Sequence, residues 1–98
     1  MPQKPIKLEL NKTLTKIAGF KYGKDIYEKQ ANDYILFDCE NVIEFPSHVD
    51  FVAPSFIQGF IAEPMREVGS TNILEIIRFH SPRPEVMTQI YDDLRMAM

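Results

Sequence analysis

Between Val49 and Phe60 the chain reads VDFVAPSFIQGF, an apolar run that stops at a Pro-Ser pair and resumes in helical spacing. Proline gives no N–H to a ladder and is pre-set for the first turn of a helix, so the stretch demands a strand-to-helix turn in mid-chain. Ser55 precedes Gln58 by three residues, the spacing in which serine and glutamine side chains each bond a free backbone N–H of a first helical turn. The pattern predicts a helix capped by Ser55, with Ala53, Pro54 and Phe56 forming the turn around it. Phe56, Ile57, Phe60 and Ile61 then fall at i, i+1, i+4 and i+5, one broad apolar face. Pro64 predicts an end or kink near Glu63, because its ring clashes with the carbonyl four residues earlier, with room for one more turn from Met65 to Val68 before Gly69.

The remaining segments can be read against that turn. Ile6, Leu8 and Leu10 alternate with Lys7 and Glu9, the period of a half-buried strand. Asn11 to Phe20 has no clear period. Tyr22 to Ala31 suits a short amphipathic helix, and Asn32-Asp33 supplies a turn. Tyr34-Ile35-Leu36-Phe37 is a continuous apolar run closed by Asp38, which predicts a strand covered on both faces at the centre of the sheet. Val42 to Phe45 extends that strand or makes a hairpin, and Pro46-Ser47-His48 breaks it. Ile73 to Phe79 reads as a third buried strand. Ser81-Pro82-Arg83-Pro84 opens a last helix whose inward stripe is Val86, Ile90 and Leu94, flanked by Met87, Tyr91 and Met98. Alternating strands and helices predict a small layered α/β domain over residues 1–98, a mixed sheet with about three helices, and a core shared by Phe37, Phe56, Phe60, Ile77, Ile90 and Leu94.

Ninety-eight residues suit one such domain. A single cysteine, Cys39, excludes an intramolecular disulfide, and no apolar run approaches the length of a membrane span. The expectation is a cytoplasmic chain in a reducing setting. Charge is segregated: residues 1–30 hold seven lysines against three acids, giving +4, and residues 31–98 hold four arginines against eleven acids, giving −7. The acidic balance and the spread of the lysines argue against nucleic acid as partner. His48, Asp50 and His80 have no spacing that converges them on a metal, and Cys39 lies between Asp38 and Glu40, whose charges disfavour the thiolate. No glycine loop cradles a phosphate. No metal, cofactor or catalytic group is expected.

The strand YILFD, the later VAPSF opening a helix, a third strand and a closing helix resemble the STAS-like family of small, functionally uncharacterised bacterial and phage proteins. That family is related to the sulfate-transporter and anti-sigma-factor-antagonist (STAS) domains. The similarity runs from about Gly23 to the C-terminus, with its sharpest signature at Val52 to Phe56. The resemblance implies a STAS-like domain and a regulatory role. In the related antagonists a serine at the start of this helix is phosphorylated by an ATP-binding kinase of the histidine-kinase-like fold, which breaks their complex. Carried over, the acceptor is Ser55, or the position falls on Pro54, which cannot be phosphorylated. Phosphorylated antagonists have an Asp-Ser-Ser-Gly type of turn where this chain has Ala53-Pro54-Ser55-Phe56. Relative to the STAS-like pattern, several residues are inserted around Phe45 to Asp50, and Gln58-Gly59 replaces an acidic pair.

Two functional classes follow. One is a non-enzymatic regulatory module that binds a protein partner, such as a histidine-kinase-like ATPase, at the Ser55 helix start under phosphorylation control. The alternative is a small-ligand or nucleotide-binding domain that uses the same helix N-terminus as an anion site.

Overall fold

The computed structural model describes residues 5–69 and 72–97. Among the described residues five strands and four α-helices form an α/β arrangement: β1 (Ile6–Lys7), β2 (Lys16–Ile17), α1 (Phe20–Ile26) with a π-helical extension (Tyr27–Ala31), β3 (Asn41–Glu44), β4 (Phe51–Val52), α2 (Pro54–Val68), α3 (Ile73–Ile76), β5 (Ile77–His80) and α4 (Pro84–Ala97). Instead of one mixed sheet there are two small sheets, ordered β1-β3-β5 and β2-β4, and every described pairing is parallel. Parallel neighbours require a crossover, and α1 and α2 supply those of the larger sheet.

The central strand is not where the apolar run predicts it. Tyr34 to Phe37 is loop, with only Ile35 buried, and β3 begins at Asn41. Asn41, 1% exposed, explains the displacement: its side-chain carbonyl accepts the Leu36 N–H at 3.0 Å and its amide donates to the carbonyls of Leu36, Cys39 and Ile76 at 2.7, 3.1 and 3.0 Å. Its amide thus satisfies backbone groups that would otherwise be buried without partners at the entry to β3 and β5. Phe37 accordingly lies outside the core, whereas Phe56, Phe60, Ile77, Ile90 and Leu94 are buried in it.

One further correction concerns Ile73 to Phe79, and one open alternative is resolved at Pro64. Ile73–Ile76 is a helical turn and the strand starts only at Ile77, because a short connection must reverse the chain from α2 into β5. Pro64 sits inside α2, which runs to Val68 and ends at Gly69 with φ 86°. Phe60, Ile61 and Pro64 are all buried, so ending the helix at Glu63 would return apolar surface to water, which outweighs one lost backbone hydrogen bond. The last helix opens on Pro84 as the spacing predicts, while the first starts at Phe20, two residues before Tyr22, and is π-helical from Tyr27 to Ala31. Met98 lies outside the described residues.

An aromatic chain forms the core. Phe56 stacks on Phe60 at 6.3 Å, Phe60 meets Phe79 edge-on at 5.7 Å, and Phe79 stacks on Phe45 at 5.9 Å between ring centres. Tyr27 joins from the π-helical turn, edge-on to Phe60 at 5.4 Å. Helices α1 and α2 touch backbone to backbone. A Cβ on Gly23 would lie 2.1 Å from the Phe56 carbonyl oxygen, and one on Gly59 would lie 1.9 Å from that of Phe20.

Side chains close the open edges of the sheets. Tyr91 accepts the Phe79 N–H and donates to its carbonyl, both at 3.1 Å, at the outer edge of β5. Gln89 treats Val52 of β4 the same way, accepting its N–H at 3.1 Å and donating to its carbonyl. Gln30 repeats the pattern at Glu9, just past β1, at 2.6 and 2.7 Å. Edge backbone that could template a foreign strand is thereby occupied.

Candidate functional site

The segment Val52–Gln58 leaves β4 and enters α2. Ala53 has extended geometry and serves as the N-cap, Pro54 takes the first helical position, and Ser55 is therefore one residue inside the helix. This overturns the expected cap pair: no side chain caps the N-terminus of α2, and Gln58 is exposed. The Ser55 hydroxyl has a different partner, accepting the backbone N–H of Gly19 at 2.9 Å. Gly19 is the residue before α1 and has φ 107°, a conformation that glycine adopts without strain. Ser55 thus ties the starts of the two helices together across the close contact made by Gly23 and Gly59. Sequence spacing could not show this bond, which joins residues far apart in the chain.

The donors at the helix start are largely engaged. Pro54 has no N–H, and the N–H groups of Phe56 and Ile57 are directed at the Ala53 carbonyl, at 3.1 and 3.4 Å. Ala53 itself donates to Ile17 of β2 at 2.8 Å. From Phe51 to Ala62 the chain carries no charged residue. What remains is an apolar surface rather than an anion cradle.

That surface opens into a groove. Phe20 at the head of α1, one side of α2 from Pro54 to Arg66 and the end of α4 line an open concavity of about 650 Å³. Pro54, Ile57, Ile61 and Met65 line it along α2 and Leu94 along α4, Ile57, Ile61 and Leu94 being buried core residues, and Gln58, Arg66 and Asp93 stand among the lining residues. Phe20 is half exposed. Arg66 is held by Glu63 at 3.1 Å, so the rim carries little uncompensated charge at that point. Gln58 and Pro54 were singled out as site residues from the sequence; Phe20 and Met65 were not, Leu94 was expected only in the core, and α1 crossing α2 is what brings Phe20 to them.

The other sequence candidates are dispersed. His48 Nε2 lies 3.1 Å from the Asn11 carbonyl, and Asp50 pairs with Lys16 at 3.2 Å. Glu40 pairs with Arg78 at 3.1 Å. Among the described residues no group of three His, Cys, Asp or Glu side chains converges as a metal site requires. Burial raises the Tyr27 phenol above its ordinary pKa, and the nearby charges of Glu63 and Glu67 add to the effect. Tyr27 is a core residue and does not line the groove. No helix among the described residues is long and apolar enough to cross a membrane.

Comparison with family models, with curated proteins and with solved structures finds no match to this chain.

Proposed function

We propose that this chain is a non-enzymatic regulatory module that binds a protein partner on the start of α2, Ala53 to Gln58, and the groove beside it. The observation that carries the reading is the apolar groove lined by Phe20, Pro54, Ile57, Ile61 and Met65. Exposed apolar concavities next to a helix start suit the side chains of a partner better than they suit a phosphate. The engaged N–H groups of Phe56 and Ile57 favour this reading over the anion or nucleotide site. Closure of the edges at Glu9, Val52 and Phe79 favours docking on a helix face over addition of a strand.

The STAS resemblance supplies the partner class, a kinase of the histidine-kinase-like fold, and the switch, phosphorylation of Ser55. Tyr34 to Asp38, the run that carried part of the resemblance, is loop rather than strand, so the likeness rests on the Pro-Ser turn and the helix that it opens. A phosphate on Ser55 would add about two negative charges to an uncharged stretch and would disturb the oxygen that holds Gly19. Burying that charge against an apolar partner surface would cost its hydration, and an acidic partner surface would be repelled, so either complex is weakened.

The test is a photo-crosslinking residue at Gln58, identification of the captured protein, and titration of that purified protein against variants. Gln58→Arg and Phe20→Ala should weaken binding while leaving the melting curve in place. Unchanged affinity in both would overturn the assignment of this face.

A further inference from the structure

The apolar run Tyr34-Ile35-Leu36-Phe37 is held out in water. Tyr34, Leu36 and Phe37 are 63, 47 and 44% exposed, and Ile35 alone of the four is buried. The loop is shaped by Asn41, whose side chain bonds the N–H and the carbonyl of Leu36 and the carbonyl of Cys39 while also reaching Ile76. A buried asparagine thus fixes a loop that gives one side chain to the core and presents three large ones to solvent. Exposed apolar side chains in a pre-shaped loop have little ordering left to lose on binding, which is the condition for an interaction anchor.

The charges around the run select what can dock. Asp33 and Asp38 stand exposed at its two ends, and Glu40, which follows, is engaged by Arg78 at 3.1 Å. Lys29 lies four residues before Asp33, on the π-helical turn. An acidic frame repels nucleic acid and anionic lipid, and it attracts Lys and Arg side chains. We propose that the Asp33–Asp38 loop is a second docking surface, taking a basic protein segment whose aliphatic or aromatic side chains seat against Leu36 and Phe37. It is separate from the groove at Ser55: α2 runs about 22 Å from the Ser55 turn to its other end, and α3 then leads to Ile76, where Asn41 is bound.

A display library of random short peptides, panned on the purified chain, tests this. Recovered peptides should be enriched in Lys and Arg next to large apolar residues. Their binding should weaken at least tenfold, about 1.4 kcal/mol, in Phe37→Ala and again in Asp38→Lys, and should weaken with added salt. Gln58→Arg, in the Ser55 groove, should leave it unchanged. Circular dichroism and melting curves confirm that each variant is folded, and Leu36→Ser replaces Phe37→Ala if the latter is not. Recovery of peptides without basic residues, binding insensitive to the loop variants, loss of binding in Gln58→Arg, or sedimentation showing that the loop joins two copies of the chain would each overturn the proposal.

Discussion

The hydroxyl of Ser55 accepts the N–H of Gly19 at 2.9 Å, so the second residue of α2 fastens the residue that precedes α1. This gives Ser55 a measurable structural role apart from any partner. Ser55→Ala leaves a part-buried N–H without its acceptor and should lower stability by about 1 to 2 kcal/mol in urea titrations. Ser55→Asp offers a carboxylate to the same N–H at the positive end of a helix dipole and should keep most of that stability while weakening partner binding. A serine-to-alanine variant as stable as wild type would show that the bond contributes nothing.

The contact that this bond spans depends on two glycines. A Cβ at Gly23 or Gly59 would lie 2.1 or 1.9 Å from a backbone oxygen of the opposite helix, and backbone yields less readily than a side-chain tip. Gly59→Ala should therefore destabilise the fold by about 1 to 3 kcal/mol or more, even though alanine is the better helix former. Gly23→Ala should do the same. Chemical denaturation of both variants checks this, and stability at or above wild type would mean that the helices can move apart freely.

Which parts of this arrangement could be read from sequence depends on what fixes each one. The faces of α2 and α4 were legible because Phe56, Ile57, Phe60 and Ile61, and then Val86, Ile90 and Leu94, repeat with the helical period, and all are buried. The central strand was not. Tyr34 to Phe37 has a stronger strand composition than Asn41-Val42-Ile43-Glu44, and a continuous apolar run has no period to say which way it faces. The choice was made by Asn41, whose bonds to Leu36, Cys39 and Ile76 involve partners close in space. Strands β2 and β4 have two residues each, too few for any alternation to show. At the candidate site the Pro-Ser turn was legible and the role of Ser55 was not, since Gly19 lies 36 residues away. Segregation of the lysines gave no hint of the groove, whose lining is apolar.

Tyr91 tests the protection of the sheet edge. Its hydroxyl is both acceptor and donor for Phe79 at the outer side of β5. Tyr91→Phe keeps the ring and strands both backbone groups, so it should cost about 1 to 3 kcal/mol and increase self-association at high protein concentration. Light scattering beside a thermal melt gives both readings. A variant that melts as wild type and stays monodisperse would show that water serves that edge equally well.

Tyr27 makes stability depend on alkaline pH. Burial first, then Glu63 and Glu67, raise its pKa above the unfolded value of 10.0, so the folded state holds the phenolic proton more tightly than the unfolded chain does. The resulting stability is fully present below the unfolded pKa and is lost as pH rises from there through the folded pKa. Denaturation midpoints should fall as pH rises above about 10, and Tyr27→Phe should remove part of that fall. The same slope in Tyr27→Phe as in wild type would assign the loss to other groups.

Two phenylalanines separate the observed fold from the one that the apolar pattern suggests. Phe60 is fully buried between Phe56, Phe79 and Tyr27, whereas Phe37 is 44% exposed in the loop before β3. Truncating a buried phenylalanine removes its transfer free energy and leaves a cavity, so Phe60→Ala should cost about 3 to 5 kcal/mol, a large share of a small domain's stability. Phe37→Ala opens no cavity in the core and should stay within about 1 kcal/mol of wild type. The pair is read in one set of equilibrium unfolding curves. Comparable losses in both would put Phe37 back in the core, restore Tyr34 to Phe37 as a buried strand, and remove the exposed surface on which docking at that loop depends.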